Sequence, residues 1–74
     1  MDDRFFMRRA SAVLYLLRRR REWSGRIEDA QSGDVEFETQ QLDLIERLIL
    51  DVRAGRVDAF ELDHPKAVAV FVSD

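Results

Sequence analysis

The chain has to fold around one small hydrophobic core that no cross-link supports. It has 74 residues and no cysteine, which excludes disulfide scaffolds, zinc fingers and cysteine nucleophiles. A chain of this length buries only about 60% of the surface that its unfolded form exposes. We therefore expect a single domain spanning residues 1–74, in which apolar burial, shared with a second copy of the chain, supplies the stability.

The sequence lacks the motifs of catalysis and of metal or cofactor binding. His64 is the only histidine and precedes Pro65 in a predicted turn, where adjacency to Asp63 does not orient an imidazole. Three glycines are too few and too scattered for a P-loop or a dinucleotide fingerprint. No apolar run reaches the roughly 18 residues of a membrane span, and no secretory pattern follows Met1. These absences predict a cytoplasmic protein that is not an enzyme and that holds neither metal nor cofactor.

Hydrophobic periodicity predicts that the first segment, residues 2–22, is a helix. Its apolar side chains recur at the spacing of one helical face, and they are Phe6, Ala10, Val13, Leu14 and Leu17. Aspartates at its start and arginines at its end suit the helix dipole. A strand over residues 12–17 is the alternative, because that stretch is almost continuously apolar, but the length and the charged flanks favour the helix.

Residues 26–38 are predicted to form a β-hairpin around Gly33. Ser24 and Gly25 end the first helix in this interpretation, and a three-residue loop pairs Ile27 with Phe37. That register separates apolar from charged side chains. The acidic residues of the solvent-facing side and the turn are Glu28, Asp34, Glu36 and Glu38.

The rest of the chain is predicted to form a second helix and a second hairpin. Thr39 is the expected N-cap of a helix over residues 40–54, which Gly55 ends. Residues 57–62 and 67–72 form the second hairpin around a turn at 63–66. The predicted fold is α+β, in the order α-β-β-α-β-β, with two helices packed on a mainly antiparallel four-stranded sheet.

Charge is divided unevenly along the chain. Residues 1–26 hold eight arginines and three acidic residues, whereas residues 27–74 hold twelve acidic and four basic residues. The two parts either neutralise each other, or the basic helix binds a polyanion, or the acidic hairpin binds a basic surface. The net charge of -3 argues against a dedicated nucleic-acid domain, which is usually basic.

Three surfaces follow as candidate binding sites. The first hypothesis is an adaptor, regulator or inhibitor that binds a larger protein or protein–nucleic-acid complex through the acidic hairpin face, as small acidic inhibitors from phages and mobile elements do. The alternative is a nucleic-acid-binding module that uses an arginine and tyrosine ridge of the first helix, made of Arg4, Arg8, Tyr15, Arg18 and Arg19. The first helix also has more apolar surface than one core contact needs, which predicts a homodimer through Phe5, Ala12 and Leu16.

Overall fold

Three strands and two helices make up the fold. The structure, a computed structural model, describes residues 3–30 and 33–74. The elements in chain order are β1 (Asp3–Arg8), α1 (Arg9–Asp29), α2 (Glu36–Arg53), β2 (Ala59–Leu62) and β3 (Val68–Ser73). The sheet order is β1-β3-β2, in which β1 is parallel and β2 antiparallel to the central β3. The chain is therefore an α+β protein with a small mixed sheet.

Both helices cover the same face of the sheet. Alternation along β2 and β3 turns Phe60, Leu62, Val68 and Val70 inward, and all four are buried. The helices close this core with Ala12, Leu16, Trp23, Ile45, Ile49 and Val52. The molecule has two layers, and the second face of its sheet is open to solvent.

The predicted four-stranded antiparallel sheet is wrong because the first hairpin does not form. Its first strand falls on the end of α1, which continues through Gly25 to Asp29, and its second falls on the loop residues 34–35 and the first turn of α2. A glycine inside a helix costs about 1 kcal/mol, and the buried Trp23 beside it anchors the helix. Gln31 and Ser32 of the predicted turn lie outside the described residues.

The prediction of a helix from residue 2 is also wrong, since residues 3–8 form β1 and α1 starts at Arg9. Asp2 lies outside the described residues. Alternation places Arg4, Phe6 and Arg8 on one side of the strand, and β3 provides the parallel partner. The helical pattern in this segment was a coincidence of spacing, because Phe6 and Ala10 lie in different elements.

The phase of α1 differs from the prediction as well. The core-facing residues of α1 are Ala12, Leu16 and Trp23, whereas Leu14 of the predicted stripe is 62% exposed. Ala12 and Leu16 have no exposed surface, so they belong to the chain's own core and are not available for self-association. Phe5, the third residue of that prediction, lies on β1 and is 43% exposed.

The second half of the chain follows the prediction more closely. The β2–β3 hairpin is antiparallel, and α2 ends at Arg53, two residues before Gly55, which has a φ of 78°. The start of α2 is earlier than predicted, because the Asp34 carboxylate accepts a 2.8 Å hydrogen bond from the Glu36 amide. Val35 occupies the N-cap position without a side-chain hydrogen bond, and Thr39, the expected N-cap, lies inside α2.

Arg9 connects the start of α1 to the second half of the chain. Its guanidinium donates to the carbonyl oxygen of Val52 at 2.7 Å, to Asp58 at 2.8 Å and to Asp74 at 2.5 Å. The hydrogen bond from Arg9 and its positive charge lower the pKa of the Asp74 carboxyl. Arg9 thus holds the β1–α1 junction against the end of α2 and the C-terminal strand.

Candidate interaction surfaces

The predicted acidic face is dispersed in the structure. Glu28 is exposed near the end of α1, Asp34 lies in the loop before α2, and Glu36 is exposed in the first turn of α2. Glu38 is half-buried on the same helix. Because these four residues share no strand, the structure does not form the flat row of carboxylates that the hairpin predicted.

The predicted arginine and tyrosine ridge is divided between two sides of the molecule. Arg4 and Arg8 lie on the solvent side of β1, away from the helices. Tyr15 lies between the other two: it lines a cleft with Arg19 on one side and a shallow groove with Arg18 on the other, and the Arg19 guanidinium carbon lies 5.2 Å from the centre of its ring. Arg19 also forms a 2.8 Å ion pair with Glu22. Of the five residues of the predicted ridge, Arg18 is the one that is exposed on the solvent side of α1.

The solvent side of α1 combines apolar and basic side chains. Leu14 is 62% exposed at its centre, with Ala10 exposed and Val13 and Leu17 half-buried around it. Shallow grooves beside Leu14 are lined by the basic residues Arg18 and Arg21 of α1 and Arg53 of α2. We call this surface, made of Ala10, Val13, Leu14, Leu17, Arg18, Arg21 and Arg53, the α1 outer face. The sequence pattern assigned its apolar residues to the core and Arg18 to the arginine and tyrosine ridge, and it also showed an excess of apolar surface on this segment.

No ion pair within residues 3–30 and 33–74 neutralises the charge of the α1 outer face. Among the described residues, no carboxylate oxygen lies within 4 Å of the side-chain nitrogens of Arg18, Arg21 or Arg53. Within the described part of the chain, Arg9 is the one arginine of the basic N-terminal part that forms ion pairs with acidic residues of the C-terminal part. The α1 outer face is therefore a basic surface with an apolar centre.

A second exposed surface lies on the open side of the sheet. Phe6 and Phe71 stack there with ring centres 5.1 Å apart, and they are 81% and 39% exposed. Their neighbours on the same side of the strands are Arg4, Arg8, Ala59, Glu61 and Ala69. We call this surface the open sheet face. It lies opposite the helical layer, and hence on the other side of the molecule from the α1 outer face.

A cleft of about 290 Å³ lies between α1 and the β2–β3 turn, and Tyr15, Arg19, His64 and Lys66 line it. Lys66 forms a 2.7 Å ion pair with Asp3, which raises the pKa of Lys66 and lowers that of Asp3. The His64 ring packs edge-on against Phe37 at 4.9 Å. The described residues contain no group of three histidine, aspartate or glutamate side chains placed to hold a metal ion. The lining side chains thus have partners within the fold: Lys66 pairs with Asp3, His64 packs on Phe37, and Arg19 lies over Tyr15.

Residues 3–72 match the protein family described as "Uncharacterized protein BTH_I2711-like". The chain belongs to this family. The match spans all five elements except the last residue of β3, so both exposed surfaces lie within the family's domain. Comparisons with curated proteins and with solved structures give no match. In the part of the chain that the structure describes, neither helix combines the length and the apolar character needed to cross a membrane.

Proposed function

We propose that this protein is a small non-enzymatic interaction module that binds an acidic surface of a larger protein through the α1 outer face. The observation that carries the proposal is the exposed Leu14 with Arg18 and Arg21 beside it, where the described residues supply no acidic partner. An adaptor, a regulator and an inhibitor would all act in this way, by occupying a partner's surface.

The composition of the α1 outer face suits a protein partner. Protein interfaces have an apolar centre and a polar rim, and arginine is enriched in them. Leu14 provides the centre of such a patch, and Arg18 and Arg21 provide the rim. Arginine binds carboxylates with two parallel hydrogen bonds, which favours an acidic partner over a basic one. The expected ligand is a protein segment with leucine-like side chains between acidic residues.

A nucleic-acid ligand fits this surface less well. Non-specific binding of single strands relies on aromatic rings that stack on bases. Tyr15 is half-buried at the edge of the α1 outer face, where it lines a groove with Leu14 and Arg18, and the Arg19 guanidinium lies over its ring at 5.2 Å, where a base would stack. Binding to phosphate charge alone is the competing outcome that the experiment has to separate.

The test uses a fluorescently labelled helical peptide with leucines flanked by glutamates, and follows its anisotropy as the protein is added. We expect Arg21→Glu to weaken binding about tenfold and the Arg18→Glu/Arg21→Glu variant about 100-fold, since each reversal replaces an attraction by a repulsion. The matched control is Arg47→Glu, which changes an exposed arginine of α2 that lines none of these grooves. It should bind within about twofold of the wild type.

Two results would contradict the proposal. One is peptide binding by the folded double variant that equals wild-type binding. The other is stronger binding to a single-stranded oligonucleotide than to the peptide, with a steep loss as salt rises, which would assign the arginines to phosphates. Circular dichroism of each variant establishes that the fold is intact.

A further inference from the structure

We infer that the open sheet face is the surface through which two copies of this chain associate, packed face to face about a two-fold axis parallel to β3. The first ground is the exposure of a stacked aromatic pair. Phe6 and Phe71 lie side by side on neighbouring strands, and Phe6 is 81% exposed. Exposed apolar patches of this kind mark interaction sites. The inference is independent of the function proposed for the α1 outer face.

The second ground is the arrangement of the outward side chains in rows. Because β1 and β2 both pair with β3, residues in register lie side by side across the sheet. One row consists of Arg4, Ala69 and Glu61, in the order β1, β3, β2. The next row consists of Phe6, Phe71 and Ala59. Each row therefore has a large residue on β1 and a residue of opposite charge or smaller size on β2.

The rows of one copy are complementary in charge and size to the same rows of a second copy. A two-fold axis parallel to β3 in the plane of the interface places β1 of one copy over β2 of the other. Arg4 then lies opposite Glu61 of the partner subunit, and Phe6 lies opposite Ala59 of the partner subunit. The symmetry repeats both contacts, so each dimer contains two opposite-charge pairs and two large-over-small pairs, with Phe71 at the centre.

Other occupants of the open sheet face fit less well. A two-fold axis across the strands, through the row of Phe6, brings Arg4 over Arg8 of the partner subunit and sets like charges together. A polyanion meets the carboxylate of Glu61 in the same row as Arg4. A second copy about an axis parallel to β3 pairs Arg4 with Glu61 twice and keeps the two copies of Arg8 at opposite edges of the interface, which is why we assign this face to self-association.

The size of the face sets the expected affinity. Three strands about 4.8 Å apart and six residues of about 3.3 Å each give a surface of roughly 15 by 20 Å. This is less than half of the roughly 800 Å² that each partner buries in a standard interface, which places the dimer among weak, transient associations, and we expect a dissociation constant of about 100 μM. In such a dimer the helices lie on the outside and the two copies of the α1 outer face point in opposite directions. Both copies therefore remain accessible, which permits bivalent binding.

The test is sedimentation equilibrium of the full chain from about 5 μM to about 0.5 mM, a range that brackets a dissociation constant of about 100 μM. The wild type is expected to pass from monomer to dimer. Arg4→Glu and Glu61→Arg should each weaken the dimer at least tenfold, since each sets like charges opposite one another. The double variant Arg4→Glu/Glu61→Arg should regain most of the wild-type affinity, because it restores both pairs with exchanged signs.

Phe6→Ser and Leu14→Ser complete the design. Both residues are mostly exposed in the monomer, so both variants should fold. Phe6→Ser should remain monomeric to about 0.5 mM, whereas Leu14→Ser, on the opposite side of the molecule, should dimerise as the wild type does. A wild type that is monomeric throughout, a dimer that survives Phe6→Ser, or a charge exchange that fails to rescue the single variants would each overturn the inference. None of these results bears on binding at the α1 outer face.

Discussion

The two exposed surfaces of this protein differ in how their charges are arranged. The α1 outer face carries only positive charge around Leu14, so a second copy of it would be repelled. The open sheet face carries Arg4 and Glu61 in one row, and a second copy turned about β3 meets it with opposite charges. The difference shows how a small chain keeps two contacts separate. A surface with only positive charge repels its own copy and binds a different, acidic molecule, whereas a surface with positive and negative charges in register can bind its own copy.

The fold keeps these surfaces apart because it has only two layers. The helices cover one face of the sheet, so the solvent side of α1 and the open side of the sheet point in opposite directions. An association on one side leaves the other accessible. Substitutions on one side are therefore expected to leave the other contact intact, and this expectation is what the following experiments probe.

The largest effect is expected from a comparison of two leucines two positions apart on α1. Leu16 is completely buried, so Leu16→Ala should lower the free energy of unfolding by about 3 kcal/mol. Leu14 is mostly exposed, so Leu14→Ala should change it by less than about 0.5 kcal/mol while weakening the binding of an acidic, leucine-bearing peptide about tenfold. Urea unfolding and peptide titration measure the two quantities.

If Leu14→Ala were more destabilising than Leu16→Ala, Leu14 would face the core, as the sequence pattern predicted. That result would also remove the apolar centre from the α1 outer face, and the distinction between the two surfaces would then fail.

Salt should affect the two associations differently. Raising the salt concentration from about 0.05 M to about 0.5 M shortens the screening length severalfold, which should weaken peptide binding at the α1 outer face about tenfold. Dimerisation should weaken by less than about threefold, because Phe6 and Phe71 contribute apolar burial and only two ion pairs are present. Equal salt dependence of the two would indicate that both reactions use the same arginines.

The smallest expected effect separates an arginine that acts within the chain from one that does not. Arg9 bonds to Val52, Asp58 and Asp74, so Arg9→Gln should lower the melting temperature by about 4 °C at pH 7, and Arg21→Gln should leave it nearly unchanged. Thermal unfolding followed by circular dichroism measures the difference.

The effect of Arg9→Gln should also depend on pH. Arg9 lowers the pKa of Asp74 below its ordinary value of 3.8, so their interaction stabilises the fold above that value. The stabilisation disappears as the pH falls through the lowered pKa, and the melting-temperature difference between wild type and variant should shrink with it. A difference that grows in acid would contradict the assigned role of Arg9.

The second half of the fold was predictable because its signals are local. Gly55 marks the end of α2, which lies two residues earlier at Arg53. The apolar segments that contain Phe60 and Val70, separated by a turn at Pro65, indicate a hairpin. The stripe of Ile45, Ile49 and Val52 identifies the core side of α2.

The first half was not predictable in the same way. β1 exists because β3, whose paired residues lie 65 positions later in the chain, provides a parallel partner, and a segment of six residues carries no local signal of such a pairing. When residues 3–8 are taken as part of the first helix, the hydrophobic pattern indicates the wrong side of α1 as the core side. Leu14 is then assigned to the core and Leu16 to a surface. The sequence contains the arginines of the α1 outer face, but the side of the molecule on which they lie depends on which side of α1 faces the core.

The use of two separate faces is tested most directly on ¹⁵N-labelled protein, with backbone amide shifts recorded during dilution and then during titration with the leucine–glutamate peptide. We expect dilution to move the amides of β1, β2 and β3 around Phe6 and Phe71, and the peptide to move those of α1 around Leu14 and Arg18. A single set of amides that responds to both, or a peptide response centred on the strands, would contradict the claim that this protein uses separate faces for its own copy and for an acidic partner.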